Sequence, residues 1–336
     1  MLSVICPIYN EEKYIAKCIE SILAQDYPKN DLEILFVDGM SNDKTRDILL
    51  DYIKQYPFIR LLDNPNKIVP YAMNIGVQAS KGDVIIRLDG HVEYPSNYFS
   101  ELVKHLYDLD ADNVGGLCET LPCGPSAKEL AIAEALSSPF GMGNSYFRIG
   151  CNSIKEVDTV PFGCFRREVF DKVGLYDNEL VRNQDDELNG RIIKNGGKIF
   201  LIPNIVTKYY ARDKISKVWK MFYQYGLYKP LVNSKLGSPS TIRQFFPLLF
   251  VLGIVIGFPL SFINRIFAEL YVCVLALYVI MSIIYTYKSV ARTRNYMLFL
   301  YQPITYFTIH FGYGWGYLVG IYKLLFKIPF SAESNR

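Results

Sequence analysis

Leu2-Ser-Val-Ile-Cys-Pro7-Ile-Tyr9-Asn10-Glu11-Glu12 opens the chain. Residues 2–6 form an apolar run of strand length, which gives way within a few positions to polar side chains. Beyond it, Tyr14, Ile15, Ile19, Ile22 and Leu23 recur at helical spacing. The unit then repeats. Residues 32–37 predict a second strand and 44–53 a helix; a short strand near 59–62 precedes a helix around 70–79, and 84–88 predict a further strand. This alternation implies an α/β domain with a mostly parallel central sheet and helices on both faces. Ligands of such sheets bind beyond the carboxyl ends of the strands.

The polar residues gather at those ends. Pro7-Ile-Tyr9-Asn10-Glu11-Glu12 follows the first strand, Asp38-Gly-Met-Ser41-Asn42-Asp43-Lys-Thr45 the second, and Asp89-Gly90-His91 the fourth. One acidic turn residue is ordinary punctuation, whereas three clusters on one sheet edge predict a site. No GxGxxG opens the first helix and there is no GxxxxGK[ST], so dinucleotide and P-loop readings are set aside. Asp89 and His91 flank a glycine that lets the backbone approach closely. They are the candidate metal ligands, a carboxylate and an imidazole suited to Mg2+ or Mn2+. Further on, Asn183-Gln184-Asp185-Asp186-Glu187-Leu188-Asn189-Gly190-Arg191 places three carboxylates in a row. Their mutual repulsion needs a counter-charge. A helix start employs one or two of them, and a general base would employ a third.

The back of the chain has another character. Half of the 336 residues are hydrophobic and 21% are charged, which excludes a disordered, collagen-like or coiled-coil chain. Residues 1–200 hold 30 of the 33 acids and 21 of the 36 basic residues, whereas residues 201–336 hold 3 and 15. The basic residues are not clustered into a groove-like run, so no nucleic acid is expected as a partner. The seven cysteines are scattered without a repeating spacing and read as reduced thiols. The start of the chain carries no signal-peptide pattern, which predicts a cytosolic front half.

Residues 244–264, 270–287 and 295–322 contain no ionised side chain. Two spans are predicted, at about 244–264 and 268–287. The third stretch, with Pro303, Gly312, Gly314, Gly316 and Gly320, reads as a third span, a re-entrant segment or an interfacial one, over 296–322. The loop Lys288-Ser-Val-Ala-Arg292-Thr-Arg294 should face the cytoplasm. That fits a cytosolic front followed by one span out and one back. Residues 214–229 place lysines on one helical face with Trp219 and tyrosines between them, the pattern of either a membrane-interface helix or a basic surface helix.

The ordered set Val4-Ile-Cys-Pro7-Ile-Tyr9-Asn10-Glu11, Asp38-Gly with Ser41, Asp43 and Thr45, Asn74-Ile-Gly76, Ala79-Ser-Lys-Gly82-Asp83, Asp89-Gly-His91, Gly163-Cys-Phe-Arg166-Arg167-Glu168 and Gln184-Asp185-Asp186-Glu187-Leu188 resembles the family 2 glycosyltransferases of GT-A fold. The exopolysaccharide, succinoglycan-type branch with C-terminal membrane helices is the most similar. The resemblance spans about residues 1–230. It implies a GT-A nucleotide-sugar-binding domain over 1–212, a basic aromatic interfacial helix or linker over 213–240, and a membrane region over 241–330. It also implies an inverting transfer of a sugar from a nucleotide-diphosphate donor, most often a UDP-sugar, to a lipid-linked or glycan acceptor. Pro7, Tyr9, Glu11, Asp38, Asn74, Asp89 and Arg212 would bind the donor, Asp38 through its nucleobase. Asp89 and His91 would hold Mn2+ or Mg2+. Asp185 would be the base, with Asp186 as the alternative. Two positions depart from the family pattern: His91 replaces the second Asp of Asp-x-Asp, and Gln184 replaces the Glu before Asp185.

The expected protein is therefore a multi-pass enzyme of the cell membrane with a cytoplasmic catalytic domain, serving cell-surface polysaccharide or glycolipid synthesis. The competing readings are a sugar nucleotidyltransferase, which would release pyrophosphate, and a non-enzymatic membrane scaffold.

Overall fold

The computed structural model describes residues 1–239 and 241–330. The chain divides into two compact units. The first combines Met1–Glu119 with Gly150–Tyr209; the second combines Thr120–Ile149 with the chain from Tyr210 onward. Residues 120–149, expected inside a continuous domain over 1–212, thus belong to the second unit.

Among the described residues, eight strands form one sheet: β1 (Leu2–Ile8), β2 (Leu32–Asp38), β3 (Ile59–Asp63), β4 (Val84–Arg87), β5 (Asn113–Leu121), β6 (Lys155–Glu156), β7 (Cys164–Arg166) and β8 (Ile199–Tyr210), in the order β3-β2-β1-β4-β7-β5-β8-β6. β1 to β4 run parallel to one another, whereas β7 is antiparallel to β4 and β5, and β6 to β8. Helices α1 (Ile15–Leu23), α2 (Thr45–Gln55), α3 (Val69–Ala79) and α4 (Tyr98–Asp108) carry the crossovers of the parallel half and the step beyond it. Every residue of β1, β2 and β4 is buried, as expected of parallel strands covered on both faces. The register aligns Ile8 with Asp38 and Asp38 with Asp63, so the ends of three strands lie abreast. The chain leaves β1 towards β2 and β3, then returns to place β4 on the other side of β1. That reversal opens a crevice at the carboxyl ends of β1 and β4.

The second unit is helical. α5 (Ala127–Leu136), α6 (Pro139–Met142) and α7 (Tyr146–Ile149) come from the insertion after β5; α8 (Arg167–Val173) and α9 (Gln184–Lys194) belong to the first unit, and α10 (Ile215–Leu236), α11 (Phe245–Leu260), α12 (Arg265–Thr293) and α13 (Leu298–Leu325) complete the second. A capping box starts α5: Glu129 N–H donates to Ser126 Oγ at 3.3 Å, and Ser126 N–H donates to Glu129 Oε2 at 3.1 Å. Ile132, Ala133, Ala135 and Leu136 of α5 share a buried cluster with Met221, Phe222, Tyr306 and Ile309. Phe140 of α6 sits among Tyr278, Tyr285, Tyr306 and His310 with ring centroids 4.9–5.5 Å away. His310 Nε2 lies 2.8 Å from the Phe140 carbonyl, which can only accept, so Nε2 carries the proton and Nδ1 accepts from Tyr278 Oη at 2.9 Å.

The third uncharged stretch forms the unbroken helix α13, which corrects the re-entrant reading. Gly312, Gly316 and Gly320 recur every fourth residue on one face. A Cβ at Gly312 would stand 3.3 Å from Trp219, while at Gly316 and Gly320 it would run into the Tyr223 and Leu227 carbonyls. These glycines let the α10 backbone close on α13, as small residues do between packed helices. α10 accordingly buries half of its residues and exposes Lys214, Lys217, Trp219 and Lys220. Two helical segments, Ile242–Leu260 and Arg265–Thr293, are long and apolar enough to cross a membrane, and 17% and 6% of their apolar windows are buried. Buried core helices of a soluble protein would be largely covered.

Candidate active site

The loops after β1 and β2 are tied together by side chains reading backbone groups. Asn10 N–H donates to Ser41 Oγ at 2.8 Å, Asn42 N–H to Asn10 Oδ1 at 2.9 Å, and Glu11 N–H to Thr45 Oγ1 at 2.7 Å. Asp43 accepts from the Glu12 and Thr45 amides; burial pushes its carboxyl up, and the hydrogen bonds from Thr45 and Glu12 more than offset this, holding it below the usual range. Asn10, Met40 and Lys67, just past β1, β2 and β3, hold φ of 55°, 61° and 63°. Left-handed backbone at three adjacent strand ends is costly for such residues and collects at ligand sites.

Asp38 is fully buried. It accepts from Ser41 Oγ at 2.5 Å, from Ser41 N–H at 3.0 Å and from Arg46 Nη1 at 2.7 Å, and Arg46 also reaches Asp63 Oδ1 at 2.8 Å. The nucleobase partner expected at this position is thus covered by its own loop. Tyr9 lies nearer the surface, close-packed on Gly39 and with Lys67 Nζ 5.9 Å from its ring centre. Pro7 is buried within β1 opposite Val37 and does not line an open pocket. Asn74 is engaged within the domain: its amide donates to the Tyr176 carbonyl at 2.8 Å and Asn178 Oδ1 at 2.9 Å and accepts from Tyr176 N–H at 2.9 Å. It fastens α3 to the loop before α9. Arg212 lies past β8, in the second unit.

Asp89 stands two residues past β4, at the crevice. Tyr94 Oη accepts from its N–H at 2.8 Å and donates to its carbonyl at 3.3 Å, so the backbone carrying the carboxylate is fixed. Gly90 is required: a Cβ there would stand 2.9 Å from Ile8 Cγ2. His91 Nδ1 lies 3.7 Å from Oε1 of the buried Glu11. Among the described residues no three His, Cys, Asp or Glu side chains converge as a closed metal cage. The donor set of one carboxylate and one imidazole suits a cation that shares its coordination with water and substrate oxygens.

The three acids of α9 are separated by the helical turn. Glu187 is buried and held by Arg191, Nε to Oε1 at 2.7 Å and Nη2 to Oε2 at 2.8 Å. Asp186 is half-buried. Asp185 turns to β4, where it pairs with Nη1 of Arg87; Nη2 of the same arginine lies 3.3 Å from Asp89 Oδ1. Burial lifts the Asp185 carboxyl and Arg87 pulls it back, but Asp89 and Asp186 add to the rise, and the net direction is up. Sequence reasoning passed over Arg87, whose signal was a lone cation inside the apolar run Val84-Ile-Ile-Arg87-Leu88.

The model of Glycosyl transferase family 2 matches residues 3–174. A Methanococcus voltae protein named dolichyl N-acetyl-alpha-D-glucosaminyl phosphate 3-beta-D-2,3-diacetamido-2,3-dideoxy-beta-D-glucuronosyltransferase is 31% identical, over 96% of this chain and 97% of its own length. Succinoglycan biosynthesis protein ExoA of Rhizobium meliloti is 30% identical over 78% of each chain. Among solved structures, the mannosyltransferase PcManGT from Pyrobaculum calidifontis with GDP-Man and Mn2+ superposes with a TM-score of 0.59 at 17% identity, covering 97% of this chain and 87% of the other. S. aureus TarS 1–349 with UDP-GlcNAc gives 0.52 at 16% identity, over 70% and 66%. At such identities the structural likeness speaks for the GT-A-like fold.

Proposed function

The chain belongs to glycosyl transferase family 2 and is a glycosyltransferase; from that premise we propose that it transfers a sugar, with inversion, from a UDP-sugar to a hydroxyl of a lipid-linked or glycan acceptor at the cytoplasmic face of the cell membrane. Membership sets aside the nucleotidyltransferase and scaffold readings. The relative from Methanococcus voltae is named for a dolichyl-linked acceptor and aligns along nearly the whole chain, which supports a lipid-linked acceptor here. The two exposed apolar helices support a membrane anchor.

One observation carries the mechanism: Asp89 and Asp185, from a strand end and a helix start, meet on one guanidinium. The Asp185 carboxylate accepts the proton of the acceptor hydroxyl as its oxygen bonds to the anomeric carbon. The bond from that carbon to the diphosphate breaks on the opposite face, and the electron pair leaves with the nucleoside diphosphate. Asp89 and His91 would hold Mn2+ or Mg2+, whose charge offsets that gathering on the departing diphosphate. Tyr9 and Glu11 would flank the donor, with Asp38 shaping the nucleobase pocket through Ser41 and Arg46. A panel of nucleotide-sugars with Mn2+ or Mg2+, read by release of nucleoside diphosphate, tests the reading; silence with every donor and a lipid-phosphate sugar acceptor would refute it.

A further inference from the structure

Arg87 closes a four-residue strand whose every residue is buried. A guanidinium there loses its hydration and is retained only where acids repay the loss. Arginine keeps its charge throughout the accessible pH range, and two acids face it here. Its two terminal nitrogens divide between the acids, Nη1 to Asp185 and Nη2 to Asp89 at 3.3 Å. The buried Tyr176 hydroxyl lies beside the same guanidinium. The fork is therefore aimed at the carboxylates and not spent on packing. Asp185 stands in the first turn of α9, beyond the left-handed Asn183, which makes no side-chain cap bond. Arg87 is its ion-pair partner among the described residues. Its direction is thus set from across the crevice.

We propose that Arg87 is a positioning residue of the transfer reaction: its planar guanidinium aims the Asp185 carboxylate at the sugar whose diphosphate lies at Asp89. The geometry favours arginine over lysine, since two acids on separate elements need two donors at a fixed angle. The inference rests on the reading of Asp185 as the base.

The test is a double-mutant cycle in the full-length enzyme with Arg87→Lys, Asp185→Asn and their combination, measured by kcat, donor KM and melting temperature. Arg87→Lys keeps the buried charge and should fold. We expect it to lower kcat about 100-fold, the scale of a misplaced reacting group, with donor KM changed less than about threefold. In the Asp185→Asn background the same substitution should change the residual rate less than about threefold. Wild-type kcat in Arg87→Lys, a loss confined to donor KM, or an equal loss in both backgrounds would overturn the proposal. If the wild-type enzyme turns over but Asp185→Asn is as fast, the assignment of the base fails instead.

Discussion

Arg191 clasps Glu187 one turn along α9, with both carboxylate oxygens taken at 2.7 and 2.8 Å. The same guanidinium donates to the Leu175 carbonyl at 2.7 Å, so the pair fixes the α9 start against the preceding loop. Removing the acid would strand a largely covered cation. Glu187→Ala should cost about 2–4 kcal/mol of stability, near the range for breaking a buried pair. Turnover per folded molecule should stay within about threefold, since Glu187 is committed to Arg191 and the acid paired with Arg87 is Asp185. Denaturant melts with active-site titration would show it; unchanged stability would contradict the clasp.

With Glu187 committed to Arg191, the base is decided between neighbours. Asp185 is the one seen paired with Arg87. Asp185→Asn should lower kcat by about 100-fold or more, the worth of general-base catalysis, whereas Asp186→Asn should change it less than about fivefold. The reverse ranking would move the base by one residue.

The parallel half of the sheet was legible because its strands are near-continuous apolar runs and its helices keep a 3.6-residue period. Predicted and observed elements there differ by a residue or two at their ends. Asp89, His91 and Asp185 were legible as polar residues at strand ends and at a helix start. What the sequence hid was partnership. Asn74 and Asp38 look like ligand groups, yet loops more than a hundred residues away or only three residues away consume them. Arg87 looked like an interruption in a strand because its two acids lie 2 and 98 residues distant. The third apolar stretch was ambiguous since glycines serve a re-entrant turn and a close helix crossing alike; only the α10 backbone lying on Gly316 and Gly320 separates the two.

The raised Asp185 carboxyl sets a pH dependence. The base acts only when deprotonated, so the acid limb of kcat/KM should lie above the ordinary aspartate range. Arg87 is the group pulling that value down, so Arg87→Met should carry the limb to higher pH. For stability the sign is the reverse of a salt-bridged acid. A raised carboxyl contributes most below its unfolded value, and that contribution is lost as pH rises through the folded one. A limb at or below the ordinary range would contradict the crowding of Asp185 by Asp89 and Asp186.

Asp89 and His91 make a mixed oxygen and nitrogen donor pair. Chelation should abolish turnover, with Mn2+ restoring it better than Mg2+, because imidazole favours the later transition ions. His91→Asp gives two carboxylates, and the Mn2+ to Mg2+ ratio of restored rates should fall. An unchanged ratio would remove His91 from the coordination.

Membrane orientation follows from charge. The start of α12, capped by Asn264, carries Arg265 and Glu269, with Arg265 Nε 2.6 Å from Glu269 Oε1, whereas its end carries Lys288 and Arg292 and is followed by Arg294. Arg292 is bound to Glu134 of α5, which puts the end of α12 and α5 on the same side of the bilayer. The basic end of α12 should therefore be cytoplasmic and the Asn264 end external. The exposed or half-exposed Cys123, Cys151 and Cys273 are first changed to serine, and a single cysteine is then introduced as Asn264→Cys or Arg294→Cys. A membrane-impermeant thiol reagent should label the first in intact cells and the second only after permeabilisation. Labelling of both from outside, or of neither until the cells are opened, would show that α11 and α12 do not form a hairpin across the bilayer.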